Sequence, residues 1–427
     1  MCCPGWSIAP YPYAIAGSPD ATRRHSGDSL NTESLNGPLQ DIRIVELGQL
    51  IAGPFCGQLM GDLGAEVIKV EPPGTGDPMR EWGQGIPVWW SVIARNKKSI
   101  TLNLREKEGQ ALLKKLVVEA DVLIENFRPG TMEKWGLDYP TLAALNPRLI
   151  MVRVSGFGQS GPYAQRAGYG SIGEAMGGIR YLAGDPDRPP SRVGLSIGDS
   201  LAATFACVGA LAALHSRENT GRGQVVDSAI YEAVLAMMES TIPEFTEGGT
   251  IRERSGAILP KIAPSNVYPT SEGEMIVMGA NQDSVFTRLC QAMGRESLAS
   301  DERFRDHTRR GENQAELDAL IGQWSSGYTA GALLEILEKH SVPAGRIYRA
   351  PEMLNDPHFL AREAIVTVAH KTFKNLQMQN VVPRLSETPG RIRWAGPELG
   401  EHNEEVLQGL LGMDDAELLD LRERGIV

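Results

Sequence analysis

The sequence predicts an α/β protein: a large domain on a mainly parallel, doubly wound sheet, followed by a smaller α/β domain. Three observations predict it. Short β-rich runs alternate with helical patterns from Leu39 to about Ser240, as in chained βαβ units. The longest apolar run, Leu201–Leu214 (LAATFACVGALAAL), is rich in small residues and falls short of the ~20 that a bilayer needs. It therefore suits a helix packed closely on a sheet. Beyond a stretch with several Gly and Pro at 241–264, strand and helix patterns start again.

Asp41–Leu47 (DIRIVEL) alternates and opens the set as a strand. Gly53-Pro54 begins a helix through Leu63, with Gly64 as its stop. Glu66–Val70 is the second strand and Ser99–Leu104 a third extended piece. Glu106–Ala120 is an amphipathic helix, and Asp121–Ile124 and Leu149–Val154 are further strands. Ser200–Ser216 and Ala229–Ser240 are helices flanking the extended Gly223–Asp227. In the smaller domain Glu274–Gly279 is a strand, Val285–Met293, Glu316–Trp324 and Gly331–His340 are helical, and Ala344–Ile347 is extended. Two acidic helices, Glu401–Leu411 and Asp414–Arg424, close the sequence. The resulting map is an extension at 1–38, the first part of the large domain at 39–240, a linker at 241–264 and the small domain at 265–345. A second linker at 346–390 and C-terminal helices at 391–427 that return to the large domain complete it.

Residues 1–38 mix Pro, Gly and Ser with Arg23-Arg24 and lack an apolar segment of the signal-peptide kind. They read as a disordered or targeting extension. The expected location is cytoplasmic, or the mitochondrial matrix if the extension is a transit peptide. Of 427 residues, 42% are hydrophobic and 22% charged. Such a composition excludes a disordered chain, a coiled coil and a small disulfide scaffold. The net charge of −11 argues against a nucleic-acid partner, since an acidic protein repels the phosphate backbone. No membrane partner is expected. The five cysteines (2, 3, 56, 207 and 290) do not form a disulfide framework and read as reduced thiols.

Several chemistries find no support. Gly156–Gly161 spells G-x-G-x-x-G after a strand, but Pro162 and YAQRAGYG follow where a dinucleotide site needs a helix. No H-x-x-x-H pair or Cys/His cluster offers a metal site, so no metal is expected. No G-x-S-x-G elbow and no G-x-x-x-x-G-K-[ST] loop is present. One carboxylate has an unusual setting. Gly194-Leu-Ser-Ile-Gly-Asp199 leads an apolar, glycine-flanked segment into the small-residue helix. An N-cap role accounts for such an Asp by itself. The alternative is a nucleophile, with Gly198 permitting close backbone approach and the helix N-terminus keeping the carboxylate ionised. A second constellation is basic and amide-rich: Arg95-Asn-Lys-Lys98, Arg105, Glu125–Gly130 and Lys134. These residues are either solvated surface charge or, converging beyond strand ends, a cradle for a ligand with several phosphates.

Six blocks now carry a resemblance: VELGQLIAGPFCGQLMGDLGAEVIKVEPP (45–73), RNKKSITLNL (95–104), DVLIENFRPG (121–130), SGFGQSGPY (155–163), IGDS (197–200) and TGRGQVVDSAIYEA (220–233). Together, in this order and over nine-tenths of the chain, they resemble the class III CoA-transferases (CaiB/BaiF type, formyl-CoA transferase-like). That family also contains α-methylacyl-CoA racemases. The resemblance implies a Rossmann-like large domain with a smaller α/β domain, in an intertwined ring-shaped homodimer. It implies CoA thioesters as substrates with no permanently bound cofactor. It makes Asp199 the catalytic residue, which attacks an acyl-CoA to form a mixed anhydride and then an aspartyl-CoA thioester.

CoA contacts carry over to Ile51 and Ala52 on the CoA arm, Leu102 and Arg105 on the adenine side, Asn126 and Phe127 toward pantetheine and diphosphate, and Lys134 at a phosphate. Gln49, Trp82, Tyr169 and Gly279 are the substrate-pocket positions, with Arg80 beside Trp82 at the rim. Two positions depart from the pattern. Pro72 stands where other members carry Arg, and Ile51 where oxalate-type enzymes carry Gln; the glycine-rich loop of those enzymes is absent, and GANQD (279–283) is the nearest candidate lid. Racemases place His in A-G-H, whereas Arg166-Ala-Gly-Tyr169 stands here; a tyrosine, with an ordinary pKa near ~10, is a poor base for α-proton exchange. The implied activity is CoA transfer from succinyl-CoA to a C4–C5 dicarboxylate such as malate, citramalate, itaconate, mesaconate or glutarate. A 2-methylacyl-CoA racemase or an inactive CoA-binding homologue are the alternatives.

Overall fold

A computed structural model describes residues 37–427; the extension expected at 1–38 lies outside the described residues except for its last two. Six parallel strands form the main sheet. They are β1 (Arg43–Glu46), β2 (Glu66–Glu71), β3 (Lys97–Thr101), β4 (Val122–Glu125), β5 (Ile150–Ser155) and β6 (Val225–Ala229). Their order is β3-β2-β1-β4-β5-β6, so the winding reverses between β1 and β4. That reversal opens a crevice at the carboxyl ends of these two strands, the usual ligand position in an open α/β sheet.

Alternate strand residues feed two cores. Ile44, Val67, Val122, Ile124, Ile150 and Val152 face α1 (Ala52–Asp62). Val45, Ile68, Leu123 and Met151 face the other way, toward α3 (Lys107–Val118); between these helices lies the short α2 (Trp89–Ile93). Short α4 (Thr131–Lys134) and α5 (Tyr139–Leu145) follow β4. After β5 come α6 (Gly170–Met176), α7 (Ile179–Leu182) and the 24-residue α8 (Ile197–Thr220). α8 is long and apolar enough to cross a membrane by length and composition. Here it lies on the sheet, with Ala202, Ala203, Ala206, Ala210 and Ala213 buried in the core shared with α1. Small residues let the helix backbone approach the strands, which is why its apolar run lacks bulk.

β3 starts two residues earlier than the extended piece expected at Ser99–Leu104. Lys97 belongs to the strand through its pairing with Val67 of β2, and its ammonium is paired inside the protein, a pairing that composition does not reveal. Helix α9 (Ile230–Leu235) ends well short of Ser240. The stretch 241–264 holds a helix, α10 (Thr241–Gly248). A three-stranded antiparallel sheet, β7 (Ser265–Pro269), β8 (Met275–Gly279) and β9 (Ala344–Arg346), then pairs in sequence order. It packs with α11 (Asp283–Ala292), α12 (His307–Glu312), α13 (Gln314–Ser325) and α14 (Ala330–Lys339) around its own core of Tyr268, Ile276, Met278, Phe286, Leu317 and Leu333. The segment 346–390 is not featureless either. It contains α15 (Ala350–Asn355), α16 (Pro357–Ala361) and the hairpin β10 (Ile365–His370) with β11 (Lys374–Gln379). Val368 and Met378 of that hairpin pack with Ala395. A π-helical turn at Glu404–Gln408 and α17 (Asp415–Glu423) bring Val406, Leu407, Leu418 and Leu421 into the core beside Val45 and Ile68.

Candidate active site

The loop after β1 is the most heavily restrained part of the crevice. Leu50 has φ +62, a left-handed conformation that costs a branched residue energy and persists only where surroundings enforce it. Three side chains do so. Asn126, just after β4, accepts from the Gln49 amide and donates to the Gln49 carbonyl, both at 2.8 Å. Asp77 accepts from the Leu50 amide at 3.1 Å. Lys69 donates to the Gly48 carbonyl and pairs with Asp77 at 2.8 Å. Beneath them Glu46 holds Lys97 at 2.8 Å and Lys69 at 3.3 Å, all three within 1% of full burial. Burial opposes the Lys69 charge, yet Asp77, Glu46 and Glu71 carry its ammonium up to about 12. Burial pushes Lys97 down, with Glu46 opposing. Ile51 and Ala52 then start α1 and are themselves nearly buried.

The expected cationic cradle loses its first block. Arg95 is buried and paired with Asp62 at 2.6 Å, Asn96 donates to the same carboxylate, Lys97 belongs to the Glu46 cluster and Lys98 pairs with Glu66 at 2.6 Å. A buried charge needs a partner, and Arg95 and Asn96 precede β3 while Lys97 and Lys98 are its first two residues, so none stands beyond its carboxyl end. Arg105 remains exposed after β3 and Lys134 exposed in α4; Leu102 contributes its side chain to the core. Phe127 stacks edge-on with Trp135 at 5.3 Å, and its amide is held by Glu125 at 2.7 Å.

Trp82 is 41% exposed and lies edge-on to Trp89 at 5.6 Å, beside a surface hollow lined by Arg80, Glu81, Ile86 and Pro87. Arg80 is not a free rim cation. Two of its nitrogens are engaged by Glu71 at 2.7 and 2.8 Å, and it stacks on Trp90. Gly279 ends β8 in the smaller sheet, with open space where a side chain would stand. The stretch after it is anchored rather than loose. Fully buried Arg310 donates to the Asn281 carbonyl at 2.7 Å and pairs with Asp283 at 2.6 Å, so 279–283 does not have the character of a free lid. The Gly156–Gly161 turn opens no helix, and its amides at Gly158 and Gln159 bond Ser155 and Asp227.

Asp199 is the third residue of α8, with Ser196 as N-cap, so it is not the cap itself. Its carboxylate is flanked by backbone. A Cβ placed on Gly170, the first residue of α6, would collide with Asp199 Oδ2. Glycine at 170 is therefore what lets the two helix starts meet. Gly198 makes a different approach: a Cβ there would stand 3.0 Å from the Gly170 carbonyl and 3.1 Å from Glu174 Cγ. Burial pushes the Asp199 carboxyl up to about 6, the Glu174 charge adds to this and Arg192 opposes it. At pH 7 a group with that pKa is still roughly nine-tenths ionised. Tyr169 is the N-cap position of α6 and 71% exposed, immediately beside the glycine that touches Asp199. Among the described residues no cluster suited to a metal ion occurs. Gly170 and Glu174 escaped the sequence reading; the glycines at 170, 173 and 177 around one acidic residue were the available signal.

Comparisons with known proteins point to one family. A family model, CoA-transferase family III, matches residues 39–403. The chain is 61% identical over 394 residues to succinyl-CoA–D-citramalate CoA-transferase of Chloroflexus aurantiacus, covering 91% of this chain and 98% of that one. It is 41% identical to the succinyl-CoA–L-malate CoA-transferase beta subunit of the same organism, over 91% and 98% of the two chains. A CaiB/BaiF family protein from Brucella suis superposes with a TM-score of 0.79 at 35% identity, over 88% of this chain and all of that one. The chain belongs to CoA-transferase family III, and it is a CoA-transferase.

Proposed function

We propose that this enzyme moves CoA from succinyl-CoA to a dicarboxylate of the citramalate type, with Asp199 as the nucleophile. The observation that carries the chemistry is a partly buried carboxylate that burial and Glu174 hold near pKa 6, with no hydrogen bond lowering it. A carboxylate that few interactions stabilise is a better nucleophile than a solvated one, yet it remains ionised at neutral pH. The substrates are supported by the 61% identity to a relative whose name gives succinyl-CoA and D-citramalate.

The steps balance without net proton transfer. An Asp199 oxygen attacks the succinyl thioester carbonyl, the C–S bond breaks and CoA leaves as thiolate with the electron pair. The thiolate attacks the aspartyl carbonyl of the anhydride, and succinate leaves as carboxylate. The acceptor carboxylate then attacks the aspartyl thioester and releases the thiolate, which takes the acceptor acyl group and frees Asp199. Anhydride and thioester are close in energy, so positioning and stabilisation of the developing oxyanion are the protein's task. In this scheme Ile51, Ala52, Leu102, Asn126 and Phe127 line the CoA path, and Arg105 and Lys134 meet its phosphates. The active unit is a homodimer, supported by exposed apolar side chains such as Val208 on α8 and Phe245 on α10, each 56% exposed.

Incubation with succinyl-CoA and a panel of dicarboxylates, with acyl-CoA products followed by mass, tests the assignment. Formation of citramalyl-CoA ahead of malyl-, itaconyl-, mesaconyl- and glutaryl-CoA is expected. Equal turnover of all, or of none, would overturn it. Rapid deuterium exchange at the α-carbon of a 2-methylacyl-CoA would instead favour the racemase alternative.

A further inference from the structure

Glu174 is 1% exposed, and only one of its oxygens is satisfied. Oε2 accepts from Arg180 of α7 at 2.7 Å, while Oε1 is buried with no partner. An unpaired buried carboxylate oxygen costs free energy and is uncommon without a role. Its position is fixed by close packing. The Glu174 side chain lies against Gly198, immediately before Asp199, and α6 begins with Gly170 touching the Asp199 carboxylate.

Other charges around α8 are engaged elsewhere. α9 carries Tyr231, which bonds the neighbouring Glu232; Asp227 of β6 accepts from the Gln159 amide; Arg153 of β5 is held by Glu125 and Glu133; Asp62 of α1 is paired with Arg95. The groups that act on Asp199 are Glu174 from α6 and Arg192 from the loop before α8.

We propose that Glu174 is a positioning residue for CoA transfer: its buried carboxylate, tied to Arg180 on one oxygen and bare on the other, keeps a negative charge behind Asp199 and favours the uncharged acyl forms of Asp199 over its free carboxylate. When an Asp199 oxygen attacks a thioester, the charge beside Glu174 leaves with the CoA thiolate, and the repulsion between the two carboxylates is relieved. The proposal rests on Asp199 being the nucleophile.

The test compares Glu174→Gln and Glu174→Met with the unaltered enzyme and with Asp199→Ala, using succinyl-CoA and the best acceptor. Both Glu174 variants remove the charge with little change in volume, and their folding is checked by thermal unfolding. The acidic limb of kcat/KM, which reports the essential base of the free enzyme, is expected to move about half to one pH unit lower. Above the limb, kcat is expected to fall about three- to tenfold with KM for the acyl-CoA within about twofold. A merely structural role would not move the limb. An unmoved limb in a folded variant, with Asp199→Ala inactive, overturns the role of Glu174 and leaves the nucleophile standing. Substantial transfer by Asp199→Ala overturns both. Should neither Glu174 variant fold, an Asp199 13C titration midpoint in the ordinary range near ~3.9 would overturn the proposal.

Discussion

Asn126 grips the main chain of Gln49 from both sides, its Oδ1 accepting and its Nδ2 donating at 2.8 Å. The residue after β4 thus sets the conformation of the loop after β1, across the crevice where the sheet order reverses. Asn126→Ala removes both bonds and frees a left-handed Leu50. The expected result is a loss of about 1–3 kcal/mol in stability and at least a tenfold fall in kcat/KM. Asn126→Asp, which keeps the acceptor alone, should fall between. Thermal unfolding and steady-state kinetics measure both.

Asp199→Asn should abolish transfer and make the protein more stable at neutral pH. The folded carboxyl sits near 6 against an ordinary 3.8, so between these values the native state binds more protons than the unfolded one. Stability therefore falls as pH rises through that window and stays lower above it. The variant escapes this loss. Its advantage is expected to be about 2 kcal/mol at pH 7.5 and near zero at pH 3.5, read from denaturant unfolding at the two pH values.

Gly170→Ala is a test of close approach. The added methyl collides with the Asp199 carboxylate, so kcat is expected to drop by about two orders of magnitude, since small misplacements at a reacting centre are costly. Circular dichroism should show the fold retained. Activity within threefold of the unaltered enzyme would contradict the geometry.

Arg105→Ala and Lys134→Ala should each raise KM for the acyl-CoA about three- to tenfold, with kcat little changed, as expected for exposed cations on a phosphate. The effect should shrink in high salt because such contacts are screened. Lys98→Ala, whose ammonium faces Glu66 and Glu405 instead, should leave KM alone.

Lys69→Met leaves Glu46 and Asp77 short of a buried partner. A loss of about 3–5 kcal/mol is expected, and the loop at 48–51 should become protease-sensitive because Lys69 also holds the Gly48 carbonyl.

Much of the main sheet was legible because alternation and capping are local. β1, β2, β4 and β5 fall within two residues of their expected bounds, and Asp199 sits at the glycine-flanked helix start that its motif marks. What stayed hidden depends on residues far apart. Arg95 and Lys97 look like surface cations in sequence, and Asn96 like a surface amide; they are interior because Asp62 and Glu46 lie against them. β7 was missed because its SNVYP core is short and only pairing with β8 makes it a strand. Glu174 gave no periodic signal, and its significance is its distance from a residue 25 positions on.

The π-turn and α17 give the sheet part of its apolar cover, since Leu407, Leu418 and Leu421 share a core with Val45 and Ile68. A ribosome delivers those leucines some 350 residues after the strands they shield. During that interval the part of that face of β1 and β2 that α3 does not cover stays open, while the block around Tyr268 and Phe286, whose contacts are nearer in sequence, can close first. Vectorial synthesis thus finishes the catalytic half last, and a nascent chain halted before Leu407 is a natural client for chaperones.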